Sequence, residues 1–179
     1  MKRIPAAFRN RAKKIRLLLL DVDGVLTDGR IIIDDRGVES KHFHVRDGQG
    51  ITLLMGAGIE VGFITARSSR AVSRRAKELG VRLVHQGVKD KLQTYNDIKR
   101  RRGLADEQVA YVGDDIIDLA ILRQAGLAVL VADGCPEVAF AVDFITDAAG
   151  GNGAVREVAE LLLKAQGKWP SLTDRSQHF

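Results

Sequence analysis

Residues 17–27, Leu17-Leu18-Leu19-Leu20-Asp21-Val22-Asp23-Gly24-Val25-Leu26-Thr27, restrict the fold more than any other stretch of the chain. Four leucines run into an acid, and a second acid and a glycine follow. A short, wholly apolar run closed by a polar turn suits a strand buried on both faces, as in a parallel sheet. Acids at i and i+2 on extended backbone point to the same side, with Cα atoms about 6–7 Å apart. They stand where the strand gives out, and open α/β sheets bind ligands outside the carboxyl ends of their strands. Two carboxylates repel by about 4 kcal/mol at 4 Å in an intermediate dielectric. Such a pair needs a cation or a shared proton.

The rest of the chain repeats strand and helix. Apolar segments at 59–64, 81–84, 108–112, 127–131 and 143–146 read as strands. Helices are expected at 51–55, from Ser68 or Ser69 to Gly80, over 89–102, from 115 through Gln124, and from Ala154 to Ala165. Residues 47–50, Asp47-Gly48-Gln49-Gly50, read as the lead-in to the first of these. Between the first strand and that helix, residues 30–33 and 38–45 flank the turn Asp34-Asp35-Arg36-Gly37 and read as a β-hairpin. Alternation of strand and helix means a doubly wound parallel α/β sheet with right-handed crossovers, a Rossmann-like core carrying a hairpin insertion. A free two-stranded hairpin is marginal, so its isoleucines are expected against another subunit.

In a parallel sheet the strand ends share one edge. The first strand brings Asp21 and Asp23 there, the second Thr65 and Arg67, the third Lys89 and Lys91, and the fourth Gly113-Asp114-Asp115 with Asp118 a turn on. Acids, a hydroxyl and a lysine therefore meet in one crevice. Hard carboxylate oxygens suit Mg²⁺, which takes one or two carboxylates and leaves positions for substrate phosphate. A carboxylate also serves as a covalent nucleophile by forming an acyl phosphate. His42 and His44, the only close histidine pair, lie on the hairpin and no cysteine cluster exists, so zinc is not indicated. No Gly-x-x-x-x-Gly-Lys-Ser/Thr loop is present, which disfavours a P-loop nucleotide site.

These residues resemble the motifs of the haloacid dehalogenase superfamily of phosphatases. Asp21-Val22-Asp23-Gly24-Val25-Leu26-Thr27 matches its first motif, Thr65 the second, Lys91 the third, and Gly113-Asp114-Asp115-Ile116-Ile117-Asp118 the fourth. Val45-Arg46-Asp47-Gly48, residues 109–115 and residues 153–158 further resemble a subfamily acting on 3-deoxy-D-manno-octulosonate 8-phosphate, an acidic sugar phosphate. The resemblance implies that Asp21 attacks phosphorus and that Asp23 protonates the leaving oxygen and then activates water. It implies Mg²⁺ held by Asp21, the main-chain carbonyl of Asp23, and Asp114. Thr65 and Lys91 would stabilise charge on the transferring oxygens, and Asp115 would orient Lys91 or the metal's waters.

Superfamily members often insert a cap domain beside the first or second motif. Here one hairpin and one helix fill the first gap, and one helix and one short strand fill the second, so no cap is expected. The missing wall would come from a neighbour in a homotetramer, as the subfamily resemblance implies. The substrate carboxylate calls for arginine. The implied substrate contacts are Asp23, His44, Val45, Arg46, Asp47, Gly48, Arg67, Arg75 and Lys91, with Arg67 and Arg75 expected on one face of the helix after the second motif. His44 departs from the family's usual asparagine, which keeps open a nine-carbon sugar acid 9-phosphate as substrate. A non-catalytic binding protein on the same fold is the reading from another class.

The 179 residues carry a net charge of +5, but Lys2, Arg3, Arg9, Arg11, Lys13, Lys14 and Arg16 account for it. Beyond residue 16 the chain holds 21 basic and 23 acidic side chains. The excess therefore belongs to a basic leader at 1–16, not to a face of the domain, and neither nucleic acid nor membrane is expected as a partner. The single domain is expected over 17–166 and a C-terminal tail over 167–179, where Gly167-Lys168-Trp169 resembles the family's tail. No apolar segment followed by a cleavage site marks secretion, and the one cysteine, Cys135, forbids an internal disulfide, so a cytoplasmic protein is expected.

Overall fold

A computed structural model describes residues 6 to 169. Its centre is β1 (Leu17–Leu20), buried at every position. The leucines alternate between the sheet's faces, as a pleated strand requires. Leu18 and Leu20 join a core with Phe8, Ile51, Leu54, Val155, Val158 and Leu162. Leu17 and Leu19 join a second core with Tyr95, Ile98, Tyr111 and Ile121. A strand covered on both sides has no use for polar residues, which is why the run does not alternate.

β4 (Glu60–Ile64) and β6 (Val109–Gly113) flank β1 in parallel. With β5 (Leu83–His85), β7 (Leu127–Leu130) and β8 (Phe144–Ile145) they form a six-stranded sheet in the order β5-β4-β1-β6-β7-β8. The chain leaves β1 towards one side first and returns to fill the other, so the strand order reverses at β1. Helices α1 (Ala6–Ala12), α2 (Val45–Gly56), α3 (Arg70–Leu79) and α6 (Ala154–Ala165) supply the first core. Helices α4 (Lys91–Arg102) and α5 (Leu119–Gln124) supply the second. The expected doubly wound sheet is present, and the described residues include no cap domain. Among the described residues no helix is long and apolar enough to cross a membrane.

Helix ends follow local chemistry. Ser69 caps α3 by accepting from the Ala71 amide at 3.3 Å, and Gly80 closes it in the left-handed region. Asp90 caps α4 through the Gln93 amide at 2.8 Å, which starts that helix at Lys91 and not at 89.

Three regions differ from expectation. The hairpin pairs over two residues only, β2 (Ile32–Ile33) with β3 (Glu39–Ser40), because the chain turns inward at Lys41. The helix expected at 51–55 begins six residues earlier, at Val45. Two of its glycines serve close packing: a Cβ at Gly50 would sit 3.1 Å from both the Ala159 Cβ and the Arg156 Cα of α6, and one at Gly48 would meet Arg75 of α3. Part of the expected basic leader is structured, since Phe8 and Ala12 of α1 are buried and the Phe8 ring lies 5.1 Å from that of Phe144. At the other end, Trp169 stacks under Arg156 and Lys164 at 5.3 and 5.0 Å, and the remaining tail lies outside the described residues.

The α2–α6 pair is pinned by one buried acid. Asp47 accepts from the Arg156 amide at 2.7 Å and the Gly153 amide at 3.2 Å, and so caps α6 from 106 residues away. Asp47→Ala should lower unfolding stability by about 2 kcal/mol, through the lost cap and the orphaned donors. Urea titration should show an earlier midpoint with an unchanged slope; an unchanged midpoint would remove Asp47 from this role.

Candidate active site

The site begins where β1 stops. The Asp21 amide donates to the Val112 carbonyl at 3.0 Å, the last bond of the ladder. The chain then tightens, and the amides of Val25, Leu26 and Thr27 all reach the Val22 carbonyl. Gly24 sits at φ 93°, and a Cβ there would lie 2.0 Å from Asp114 Oδ2. Only glycine lets the Asp114 carboxylate approach this turn.

Asp21, 3% exposed, is held from behind by Lys91. The Lys91 ammonium lies 3.0 Å from Asp21 Oδ1 and 2.7 Å from Asp118 Oδ1. Asp118 is fully committed: Oδ1 also accepts from the Tyr111 hydroxyl at 2.6 Å, and Oδ2 accepts from the Asp114 amide at 3.0 Å. Thr65 is buried beside them at the end of β4, where its amide donates to the His85 carbonyl at 2.9 Å.

Carboxylate oxygens of Asp21, Asp114 and Asp118 lie within 4.8 Å of one another. Burial first, then the Asp118 charge, raise Asp21 to about 6, although Lys91 opposes them. Burial, followed by Asp21 and Asp118, raises Asp114 to about 8. Burial alone would pull the Lys91 ammonium down, but Asp21 and Asp118 outweigh it and hold Lys91 above its ordinary range. One lysine does not balance three acids. A hard divalent cation fits the donor set, and the oxygens not already bonded to protein donors are on Asp21 and Asp114.

In front of these groups is a cleft of about 200 Å³ lined by Asp21, Asp23, Thr65, Arg67, Asp114 and Asp115, with Ala66 and Ile117. A larger groove of about 470 Å³ runs beside α3 and β5, but no comparable cluster of acids lines it. Asp23 bonds the Lys41 ammonium through Oδ1, while Oδ2 is buried without a hydrogen-bond partner. Lys41 also contacts Glu39 at 3.1 Å, and Arg67 pairs with Glu39 at 2.8 Å.

The fold thus gathers Asp21, Asp23, Thr65, Arg67, Lys91 and Asp114 as expected from their strand ends. Asp118, not Asp115, orients Lys91; Asp115 caps the following turn by accepting from the Ile116 amide at 2.6 Å. Arg67 precedes α3 and does not share a helix face with Arg75. Arg75 packs against Gly48 and pairs with Glu78 at 3.0 Å. His44, Val45, Arg46, Asp47 and Gly48 form the entry to α2 and are not among the residues lining the cleft. Val45 is 80% exposed, and the Asp47 carboxylate is taken by α6. Asp118 is expected at this edge but without a role, and Lys41 and Glu39 are not among the expected residues. The four-residue spacing from Asp114 signals Asp118, whereas nothing in the hairpin's pattern marks Lys41.

A Rossmann-like core with this carboxylate–lysine cluster at the strand-order reversal defines a haloacid dehalogenase-like hydrolase, and residues 81–158 match the model of that family. The chain is 48% identical over 158 residues to the 3-deoxy-D-manno-octulosonate 8-phosphate phosphatase of Escherichia coli K12, covering 88% of this chain and 84% of that protein. The same phosphatase from Moraxella catarrhalis, crystallised with magnesium ion, phosphate ion and KDO, superposes with a TM-score of 0.92 at 44% identity, covering 94% of this chain and 97% of that one. The cobalt-bound enzyme of Haemophilus influenzae gives 0.88 at 41% identity, covering 93% and 97%. The chain belongs to the 3-deoxy-D-manno-octulosonate 8-phosphate phosphatase family of haloacid dehalogenase-like hydrolases.

The raised carboxyls give a pH test. Stability from a raised acid is fully present below its unfolded value, 3.8 here, and is lost as pH climbs through about 6 for Asp21 and about 8 for Asp114. A divalent cation replaces those protons. Adding Mg²⁺ should therefore raise the thermal midpoint by roughly 3 °C or more near pH 8 and by far less near pH 5. Calorimetry at both pH values checks this; a shift independent of pH would contradict it.

Proposed function

We propose that the protein is a Mg²⁺-dependent phosphatase that hydrolyses 3-deoxy-D-manno-octulosonate 8-phosphate to the free sugar acid and phosphate. Its relatives carry that activity in their names, and one was crystallised with magnesium, phosphate and KDO. The observation that carries the mechanism is the Lys91 bridge, which sets a buried Asp21 at the mouth of the cleft.

Asp21 is the nucleophile. Its oxygen forms a bond to phosphorus as the bond from phosphorus to the sugar oxygen breaks, and Asp23 gives that oxygen its proton. Asp23, now a carboxylate, takes a proton from water. The water oxygen attacks phosphorus, freeing phosphate and the Asp21 carboxylate. Asp21, the Asp23 carbonyl and Asp114 would hold Mg²⁺, which neutralises charge on the phosphoryl oxygens when bound. Lys91 and Thr65 face the same oxygens with a cation and a hydroxyl, placed before reaction begins. Asp118 keeps Lys91 charged and aimed.

Arg67, at the cleft's rim, suits the substrate carboxylate. The residues at the entry to α2 and Arg75 lie off the cleft of a single chain, so their contribution belongs to an assembled homotetramer in which one subunit completes another's site. The hairpin, with Ile31 and Ile33 exposed, is the surface for that contact. The carboxyl end of the chain is the second candidate. The cell compartment is the cytoplasm. A nine-carbon sugar acid 9-phosphate is the second reading for the substrate, left open by His44, which stands where the family usually has asparagine.

Phosphate release measured over a panel of sugar phosphates tests this. The octulosonate 8-phosphate should be turned over with kcat/KM at least about 100-fold above p-nitrophenyl phosphate, with chelation of the metal abolishing both. Asp21→Asn should lose at least about 10³-fold in kcat. Equal rates for wild type and variant would refute the enzyme reading, and preference for a 9-phosphate would select the second substrate.

A further inference from the structure

We propose that Lys41, on the arm that follows β3, is a positioning residue for Asp23: it occupies one carboxylate oxygen and leaves the other for the reaction. This rests on the reading of Asp23 as the acid–base group.

Lys41 lies just past a hairpin whose isoleucines Ile31 and Ile33 are exposed, yet its own side chain is 1% exposed. Lysine is almost never that buried without a partner. Its ammonium bonds Asp23 Oδ1 and lies 3.1 Å from Glu39 Oε1. Arg67 closes the circuit, 2.8 Å from Glu39 and 3.9 Å from Asp23 Oδ2. Two acids and two bases alternate in a ring of zero net charge. Within it the two oxygens of Asp23 are not equivalent. Oδ1 is held by a charge-assisted bond from a buried donor; Oδ2 is buried with no hydrogen-bond partner, on the side of Arg67, which lines the cleft. Among the described residues Lys41 supplies the one side-chain hydrogen bond to the Asp23 carboxylate. Without it the carboxylate keeps only the longer contact with Arg67, at 3.9 Å, and no hydrogen bond fixes its rotation. Reaction needs Asp23 twice, first to give a proton and then to take one, whereas binding of the substrate phosphate rests on other groups. The effect of losing Lys41 falls on turnover, not on affinity.

The test compares Lys41→Met, Lys41→Arg and the double variant Lys41→Met/Glu39→Gln with wild type, using 3-deoxy-D-manno-octulosonate 8-phosphate and Mg²⁺. The double variant keeps the ring neutral and guards against loss of folding. Lys41→Met and the double variant should lose about 10- to 100-fold in kcat, part of the 10²–10⁴ that an acid–base group contributes, and KM should stay within about threefold for Lys41→Met, in which Glu39 still holds Arg67. Lys41→Arg should recover most of the loss. With p-nitrophenyl phosphate, whose leaving group needs no proton, the first step survives and the second slows, so more enzyme should be trapped as phosphoenzyme in acid. Wild-type kcat in the double variant overturns the proposal, as does a raised KM at unchanged kcat. Asp23→Asn separates the two readings. If it is inactive while the Lys41 variants are normal, only the role of Lys41 fails; if it is active, the role of Asp23 fails and this inference with it.

Discussion

One buried ammonium holds the site together. Lys91 lies within 3.0 Å of Asp21 and 2.7 Å of Asp118, and all three are almost shut off from water. At such distances each attraction is worth about 5 kcal/mol in an intermediate dielectric. That offsets a desolvation penalty of several kcal/mol per ion only because the remaining valences are also filled. Tyr111 and the Asp114 amide fill those of Asp118. Remove Lys91 and two buried acids lose the cation they share. The ends of β1 and β6 and the start of α4 are therefore joined by one electrostatic unit, and the reactive geometry is a by-product of satisfying it.

The fold makes that unit affordable by bringing its parts together without strain. The leucines of β1 feed two separate cores, so the strand is locked in register on both faces. Its two neighbours are also parallel, which puts three carboxyl ends side by side. At the reversal of strand order the chain has to leave the sheet, and the turn through Gly24 does so with room for Asp114. On the opposite side of the cleft the hairpin folds Glu39 and Lys41 over Asp23 and Arg67. The cleft thus has an apolar-anchored floor and a charged rim at Asp23 and Arg67, which the hairpin's Glu39 and Lys41 hold from outside.

Much of this was legible in the sequence because it is local. The leucine run, the strand ends and helix α6 follow from patterns only a few residues long, and α6 spans the expected residues from Ala154 to Ala165. What was not legible depends on distant partners. Residues 47–50 look like a loop until α6 and α3 are laid against them, because glycine breaks helices in isolation yet permits close helix contact. Asp115 and Asp118 look alike as acids after a strand; the buried Lys91 and Tyr111 that pick out Asp118 come from other elements. Phe8 sits within a basic run that hides its apolar role, and Lys41 looks like any hairpin lysine. A periodic pattern reports which face of an element is buried, not which single charge is turned against its neighbours.

The central claim is that phosphorus passes through an oxygen of residue 21. Borohydride reduction of enzyme quenched during turnover converts an aspartyl phosphate to homoserine at the residue that carried it. Peptide mass spectrometry of the wild-type enzyme, given Mg²⁺ and the octulosonate phosphate, should place homoserine at position 21 and nowhere else. Homoserine at another acid, or intact aspartate at 21 under conditions of full turnover, would contradict the account.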